Sequence, residues 1–234
     1  MRTLLFSLFL CGLFACQNEP ASPPIEPREV RLELNGTQLF CKVIGQGSPL
    51  LVIHGGPGLG HAYFLPHFEK LAQDHTLIFY DQRASGQSAS DLDSADISLD
   101  LFLKDIDALR AYFGQEKISL LGHSWGGLLA MQYALKYPDR IDKLILSSPS
   151  PASSKLRASE SAKLAERLTD ADKAERAAII ASPEFKAGDA RAYERFFRWF
   201  FKKEFADTTL ADQLRLNFPA DFVAKNRVLQ YLTK

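Results

Sequence analysis

A short stretch, G-H-S-W-G-G at residues 122–127, holds the residue types that nucleophilic catalysis requires. It has the form G-x-S-x-G, which presents a serine on a strained turn between a strand and a helix. The stretch therefore predicts Ser124 as a nucleophile, with the backbone N–H of Trp125 as a donor to the oxyanion that its attack creates. A serine hydroxyl is a poor nucleophile unless a base, usually a histidine, accepts its proton.

The loop H-G-G-P-G at residues 54–58 is the second candidate for this chemistry. It follows the apolar run P-L-L-V-I, which is typical of a strand buried on both faces of a sheet. We expect a second oxyanion donor in this loop, from Gly56 or, as the alternative, from Gly55. His54 is interpreted as a structural hydrogen-bonding residue.

The loop D-Q-R-A-S-G-Q-S at residues 81–88 also follows a strand-like apolar run. Asp81 and Arg83 are interpreted as supports for the oxyanion loop and not as catalytic groups. Ala84 is strained if its position requires a positive φ, because glycine adopts that conformation far more easily than alanine.

The segments around these loops alternate between strands and helices. Residues 29–45 predict a β-hairpin that turns at Asn35 and the glycine after it. Residues 63–74 have a helical period, and residues 98–114 predict an amphipathic helix capped by Ser98. Such alternation predicts an α/β fold, a mostly parallel sheet with helices on both faces and functional loops at the carboxyl ends of the strands.

The chain divides into two regions of different composition. Residues 28–150 carry the strand-like runs and form the predicted core, whereas residues 151–234 are charged and helical and are interpreted as an incomplete helical cap. The 46% hydrophobic content suits a globular protein, and the 28 basic and 28 acidic residues give no basis for a nucleic-acid partner. Cys41 is predicted to be a small buried residue, and no metal site is predicted.

The N-terminal segment predicts export from the cell. Residues 1–16 place Arg2 before a short apolar run, as a signal peptide does, and residues 17–27 have the proline-rich, polar composition of a flexible linker. The ending L-F-A-C resembles the lipobox of bacterial lipoproteins, which implies lipidation of Cys16, a membrane anchor and a location in the bacterial envelope. Because Phe14 replaces a smaller residue, simple cleavage and release into the periplasm is the alternative.

The three loops together resemble those of the proline iminopeptidase family of α/β-hydrolases, over roughly residues 28–150. The resemblance implies an α/β-hydrolase fold and a serine hydrolase that removes an N-terminal residue, often proline, from a peptide, with no metal or organic cofactor. It also implies that an acidic residue and a histidine follow the serine in the chain. Ala84 departs from the family's loop, which has glycine at that place.

The positions of the histidines conflict with that order. The chain contains five of them: His54, His61, His67, His75 and His123. None follows Ser124, and the side chain of His123, as its neighbour, is expected to point away from the serine. We therefore expect the final strands of the sheet, the acid and the base to be missing, and this chain alone to be inactive and poorly soluble.

The predicted cap offers candidates for substrate recognition. Residues 191–205 predict an amphipathic helix with an aromatic stripe, and Glu204 falls on the centre of that stripe at helical spacing. Cap glutamates of the resembled family bind the free amine of the substrate, so Glu204 is the first candidate and Glu194 the second. If the helix ends by Lys203, Glu204 is instead solvated.

Two other functions stay open. An esterase or lactonase would use the same scaffold on an ester substrate, and a non-catalytic envelope lipoprotein is consistent with the missing histidine. Epoxide hydrolases and haloalkane dehalogenases are disfavoured, because they place aspartate where Ser124 stands.

Overall fold

The computed structural model describes residues 28–65, 67–89, 91–229 and 232. The predicted signal and linker, with Cys16, lie outside the described residues. The strands are β1 (Arg28–Leu34), β2 (Thr37–Ile44), β3 (Ser48–Ile53), β4 (His75–Tyr80), β5 (Ile118–His123) and β6 (Ile141–Ser147). The α-helices are α1 (Leu99–Tyr112), α2 (Trp125–Lys136), α3 (Ser154–Arg167), α4 (Asp170–Ala181), α5 (Pro183–Ala187), α6 (Ala190–Lys202) and α7 (Phe222–Leu229).

The six strands form one sheet in the order β1-β2-β4-β3-β5-β6. Strands β4, β3, β5 and β6 run parallel, whereas β1 and β2 form an antiparallel hairpin that pairs with β4. The hairpin turns at Asn35 and Gly36, which both have positive φ, as the sequence predicts. The expected mostly parallel α/β sheet is confirmed.

The central strands are buried on both faces. Along β3, Leu51 and Ile53 belong to the core cluster that includes side chains of α1 and α2, while Leu50 and Val52 belong to a second cluster. Successive residues of a strand point to opposite faces of the sheet. Protein therefore covers both sides of β3, as its continuous apolar run predicts.

Local signals decide where helices begin and where they fail. Ser98 caps α1 by accepting a hydrogen bond from the Leu101 N–H, as predicted. The expected helix over residues 63–74 is wrong, because the structure has two short 3₁₀ helices there, His61–Phe64 and His67–Gln73. The sequence places Pro66 within residues 63–74. Proline has no backbone N–H, so it cannot donate one of the hydrogen bonds that a continuous helix needs.

Strand β6 lies at one edge of the sheet. It pairs with β5, and no second partner strand is found for it among the described residues. Three consecutive apolar side chains on it are exposed, Leu144 by 38%, Ile145 by 42% and Leu146 by 40%. An open edge with apolar side chains is a surface onto which another strand can pair.

The residues from Ser154 to Leu229 form α3 to α7 and the turns between them, and we call this stretch the helical segment. Its last helix, α7, contacts two of the glycine-containing loops. Lys225 Nζ donates to the Gly86 carbonyl at 2.8 Å, and the side chain of Asn226 lies against Gly58. Helix α7 therefore joins the helical segment to the loops at the carboxyl ends of the strands.

Candidate active site

Ser124 lies at the turn between β5 and α2, with φ 52° and ψ −120°. Close backbone contacts require the glycines on either side: a Cβ at Gly122 would lie 2.4 Å from the Gly126 carbonyl oxygen, and a Cβ at Gly126 would lie 2.2 Å from the Ile53 carbonyl oxygen. A positive φ is uncommon outside glycine, and such strain is concentrated at functional sites. The structure places Ser124 on the strained turn that the G-x-S-x-G pattern predicts.

The loop that contains Gly55 and Gly56 lies beside Ser124. A Cβ at Gly55 would lie 3.1 Å from the Ser124 Cβ. The Gly55 N–H already donates to the Tyr63 hydroxyl at 2.7 Å, whereas no acceptor for the Gly56 N–H is found among the described residues. The Trp125 N–H lies in the first turn of α2, where N–H groups have no acceptor within the helix. These contacts favour Gly56 over Gly55 as the partner of Trp125 in an oxyanion hole.

A buried hydrogen-bond network joins the three loops through Gln82. Its backbone N–H donates to His54 Nε2 at 3.0 Å, and its side-chain amide donates to the His54 carbonyl at 2.7 Å. Its Oε1 accepts from the Trp125 indole N–H at 3.0 Å. Because Nε2 of His54 is an acceptor, we assign the ring proton to Nδ1, which lies 2.7 Å from the Gly55 carbonyl oxygen. Burial lowers the pKa of His54 to about 4, which keeps the ring neutral in this network.

Asp81 holds the segment that follows the first glycine loop. Its Oδ1 accepts from the backbone N–H of His61 at 2.7 Å and lies 2.9 Å from His61 Nδ1, and its Oδ2 accepts from the Gln87 N–H at 2.7 Å. Burial raises the pKa of Asp81, but the hydrogen bond and charge of His61 outweigh that effect, so the pKa lies below its ordinary value. Asp81 therefore has a structural role as an ionised acceptor, and its contacts are to the segment after the oxyanion loop and not to residues 54–58 themselves.

Arg83 forms a buried, bidentate ion pair with Asp105 of α1. Its Nε lies 2.8 Å from Asp105 Oδ2 and its Nη2 lies 2.7 Å from Oδ1, and both side chains are 1% exposed. The pair fastens the loop of residues 81–88 to α1. In the same loop Ala84 has φ 52°, so the strained conformation predicted for an alanine at this place is present.

The hydroxyl of Ser124 has one side-chain neighbour within hydrogen-bond distance in the described part of the chain, Ser150 Oγ at 3.4 Å. The Ser150 N–H also donates to the Ser124 carbonyl at 2.8 Å. Sequence reasoning missed Ser150, although it follows β6, whose carboxyl end meets that of β5 in a parallel sheet. The predicted parallel sheet could therefore have indicated that Ser150 lies near Ser124.

The imidazoles have partners other than Ser124 or lie away from it. His123 Nδ1 lies 2.7 Å from the Tyr63 hydroxyl, and burial lowers the pKa of His123. His67 and His75 begin a 3₁₀ helix and β4, respectively. Within the described stretches, none of the imidazoles is hydrogen-bonded to the Ser124 hydroxyl. Tyr63 was also missed, because it lies 60 positions from His123 and no local pattern reports that contact.

The two candidate glutamates occupy different environments. Helix α6 ends at Lys202, so the helical extrapolation that put Glu204 on the aromatic stripe is wrong. Glu204 is exposed, and its N–H donates to the Phe201 carbonyl in a turn. Glu194 does lie in α6, where its carboxylate is 2.9 Å from the Arg198 guanidinium. Glu204 was chosen as an amine ligand because helical spacing put it on the aromatic stripe. Because the helix ends before Glu204, that reason no longer holds.

The described residues were also compared with the requirements of a metal site and of a membrane-spanning helix. Across the described ranges, no three His, Cys, Asp or Glu side chains are grouped closely enough to hold a metal ion. None of the helices in those ranges has both the length and the hydropathy that crossing a bilayer requires. Cys41 is buried in β2, as predicted, and burial raises the pKa of its thiol to about 12.

Comparison with known proteins identifies the family that this fold and turn define. Residues 48–231 match the family model described as the alpha/beta hydrolase fold. The chain belongs to that family.

Particular relatives are similar over part of their length. A proline iminopeptidase of Lactobacillus delbrueckii subsp. bulgaricus is 35% identical over 174 residues, which are 71% of this chain and 57% of the relative. A proline iminopeptidase of Clostridium botulinum is 38% identical over 152 residues, which are 62% of this chain and 52% of the relative. The chain spans about half the length of these curated relatives.

Solved structures share the fold. The crystal structure of VinJ superposes with a TM-score of 0.63 at 22% identity, over 85% of this chain and 71% of that chain. Similarity at this level of identity describes the arrangement of strands and helices alone.

Proposed function

We propose that this protein is a serine hydrolase of the proline iminopeptidase type, which removes an N-terminal residue, often proline, from a peptide. The observation that carries the proposal is the strained turn at Ser124, with the backbone of Gly55 against it and the Trp125 N–H at the start of α2. The curated relatives that bear this name support the choice of a peptide substrate.

The proposed reaction follows from that arrangement. Ser124 Oγ attacks the carbonyl carbon, a base takes the hydroxyl proton, and the N–H groups of Gly56 and Trp125 donate to the oxyanion. Loss of one such donor raises the barrier by roughly 3–4 kcal/mol. The base then returns its proton to the leaving amine, and water releases the acyl group from the serine by the same steps in reverse order.

The source of the base is the second part of the proposal. The five histidines of the 234 residues are at or before position 123, and none of those described contacts the Ser124 hydroxyl. We propose that the base and its acidic partner come from outside these residues, and that these residues alone do not turn over substrate. The competing function, a non-catalytic envelope protein, is favoured by the same lack of a contacting imidazole.

Chemical rescue by imidazole distinguishes these possibilities. The chain is treated with 4-nitrophenyl acetate with and without imidazole, and acetylation of Ser124 is followed by mass spectrometry, with Ser124→Ala as the control for background labelling. We expect acetylation of Ser124 only when imidazole is present. A burst without imidazole would show that the described residues already hold a base. Unlabelled Ser124 in both conditions would favour the non-catalytic function.

The choice between peptide and ester requires a second comparison. Rescued turnover of prolyl naphthylamide is compared with that of a naphthyl ester of an apolar acid. Preference for the prolyl amide supports the aminopeptidase proposal, whereas turnover of the ester alone supports the esterase or lactonase alternative.

We also propose that the protein is exported and lipid-anchored through Cys16. The sequence pattern that ends in L-F-A-C is the support for this proposal. Metabolic labelling of a bacterial host with a clickable palmitate should mark the native chain and not Cys16→Ser, and a mature protein that begins elsewhere and carries no lipid would overturn it.

A further inference from the structure

A cavity of about 340 Å³ lies within the helical segment, between α5, α6 and α7. Four aromatic side chains line it: Phe185, Tyr193, Phe196 and Phe197. The rings of Phe185 and Tyr193 stack in parallel, with centroids 4.2 Å apart and planes 6° apart. Small-molecule sites are typically concave and aromatic, with a few convergent polar groups, and this cavity has those properties.

The charged groups of the cavity have one sign. Lys186 and Arg227 line it, and no aspartate or glutamate does. Neither cation lies within 4.0 Å of a carboxylate in the described part of the chain. Of the acids on α6 and before α7, Glu194 pairs with Arg198 and Asp221 with Lys225. The cavity therefore suits an anionic group and disfavours the free amine that the sequence-based expectation assigned to a glutamate.

The cavity is connected to the proposed catalytic loops through Asn226. This residue lines the cavity, and its side-chain amide donates to the Phe222 carbonyl at 3.0 Å. A Cβ built on Gly58 would lie 2.7 Å from Asn226 Oδ1, so the amide is in contact with the loop that carries Gly56. A ligand in the cavity would thus be one side chain away from the oxyanion loop.

We propose that this cavity binds the free carboxylate end of a short peptide whose C-terminal residue is aromatic or large and apolar. The aromatic rings would pack on that side chain, and Lys186 and Arg227 would pair with the carboxylate. The proposal rests on the proposed function for the identity of the ligand as a substrate. It restricts the substrates to short peptides, because the cavity is only one side chain, that of Asn226, away from the loop that carries Gly56.

Binding to the native chain, which requires no catalytic base, tests this proposal. Calorimetric titration at pH 7 compares Pro-Phe with Pro-Phe-amide, and 3-phenylpropanoate with 3-phenylpropanamide, so that each pair differs by the carboxylate alone. We expect each acid to bind about tenfold more tightly than its amide. The variants Lys186→Met and Arg227→Met should each weaken binding of the acids about fivefold, as expected for exposed cations, and should not affect the amides.

A matched control is Arg191→Met, which removes an exposed cation of α6 that does not line the cavity. Its affinity for all four compounds should equal that of the native chain. Equal binding of acid and amide, or unchanged acid binding in both cavity variants, would overturn the proposal. Discrimination confined to 3-phenylpropanoate would also overturn it, because the ligand would then be a free acid. None of these outcomes alters imidazole-dependent acetylation of Ser124, so failure of the cavity and failure of the hydrolase proposal are separable.

Discussion

Ala84 is a single residue whose backbone angle has a measurable energetic consequence. Its φ of 52° lies in the left-handed region, and its side chain is 1% exposed. An L-residue other than glycine loses roughly 1–2 kcal/mol in that region. The loop nevertheless keeps its hydrogen bonds, which shows that the surrounding contacts, including the Arg83–Asp105 ion pair, hold the strained conformation.

Replacing Ala84 by glycine should therefore be almost neutral. Relief of the strain offsets the loss of a buried methyl group, which is worth about 0.8 kcal/mol, and the greater flexibility of the unfolded chain. The matched change Ala130→Gly, at a buried residue inside α2, has no strain to relieve and should cost about 2 kcal/mol. Urea unfolding of both variants measures the difference, and equal losses would contradict it.

His54 should make stability depend on pH. Its pKa is about 4 in the folded chain against an ordinary 6.5, so between these values the unfolded state binds a proton that the folded state does not. The free energy of unfolding must then fall as the pH is lowered through this window, by about 3 kcal/mol from this residue. Burial of His123 acts in the same direction.

Two variants separate the contribution of His54 to the pH dependence of the unfolding free energy from that of the carboxylates. His54→Asn should have a visibly shallower slope of unfolding free energy between pH 7 and pH 4 than the native chain, whatever its absolute stability. His67→Asn, at an exposed position, should keep the native slope. A native slope in His54→Asn would show that His54 is not held neutral by burial.

The conformation of a single residue could be predicted from the sequence where the residue types beside it determine that conformation. The glycines around Ser124 indicate a crowded turn without any tertiary information, and the strain at Ala84 was expected from the glycine that the resembled family has at that place. Tyr63 and Ser150 were not predictable in this way, because their contacts with His123 and Ser124 exist only after distant strands have been paired.

At the scale of elements, the Arg83–Asp105 pair fixes a loop to a helix. Two buried charges stabilise a fold little beyond what apolar residues would, but removing one partner leaves the other unpaired in a medium that does not solvate it. Helix α1 and the loop of residues 81–88 should therefore be energetically coupled.

Asp105→Asn tests that coupling. We expect a loss of about 3–5 kcal/mol in the free energy of unfolding. Glu29→Gln is the control, because its partner is Lys42 in a solvent-exposed pair, and it should cost less than about 1 kcal/mol. A small effect of Asp105→Asn, measured by the same denaturant titration, would show that the loop is held by its backbone contacts.

Element ends were less predictable than element types. The strands and α1 were predicted from apolar runs and a serine cap. Periodicity predicted that the aromatic helix reaches Glu204, whereas α6 ends at Lys202. Residues 202–204 carry no glycine or proline to signal that end. The local pattern therefore gives no signal of this boundary.

At the scale of the whole molecule, the open edge at β6 is the surface at which we expect association. Leu144, Ile145 and Leu146 are exposed next to backbone groups that have no partner strand among the described residues. This surface gives a physical basis for the expectation that the chain alone is poorly soluble.

A charge on that edge should reduce self-association. Ile145→Lys is expected to raise the concentration at which aggregates appear in sedimentation velocity, because a lysine on an edge strand opposes further pairing. Leu71→Lys provides the control, since Leu71 is 41% exposed but lies in a 3₁₀ helix, and its effect should be much smaller. If both changes raise that concentration equally, aggregation is caused by exposed apolar side chains in general and not by the strand edge.

The contact between Asn226 and Gly58 has a consequence for how such proteins diverge. Position 58 has φ 93°, and a Cβ there would collide with the amide of residue 226. Homologues that carry a side chain at position 58 are expected to have a smaller residue at position 226, so the two positions should covary over evolutionary time. A chimera that takes the helical segment from such a homologue without also taking its residue at position 58 would lose the fit between these two positions.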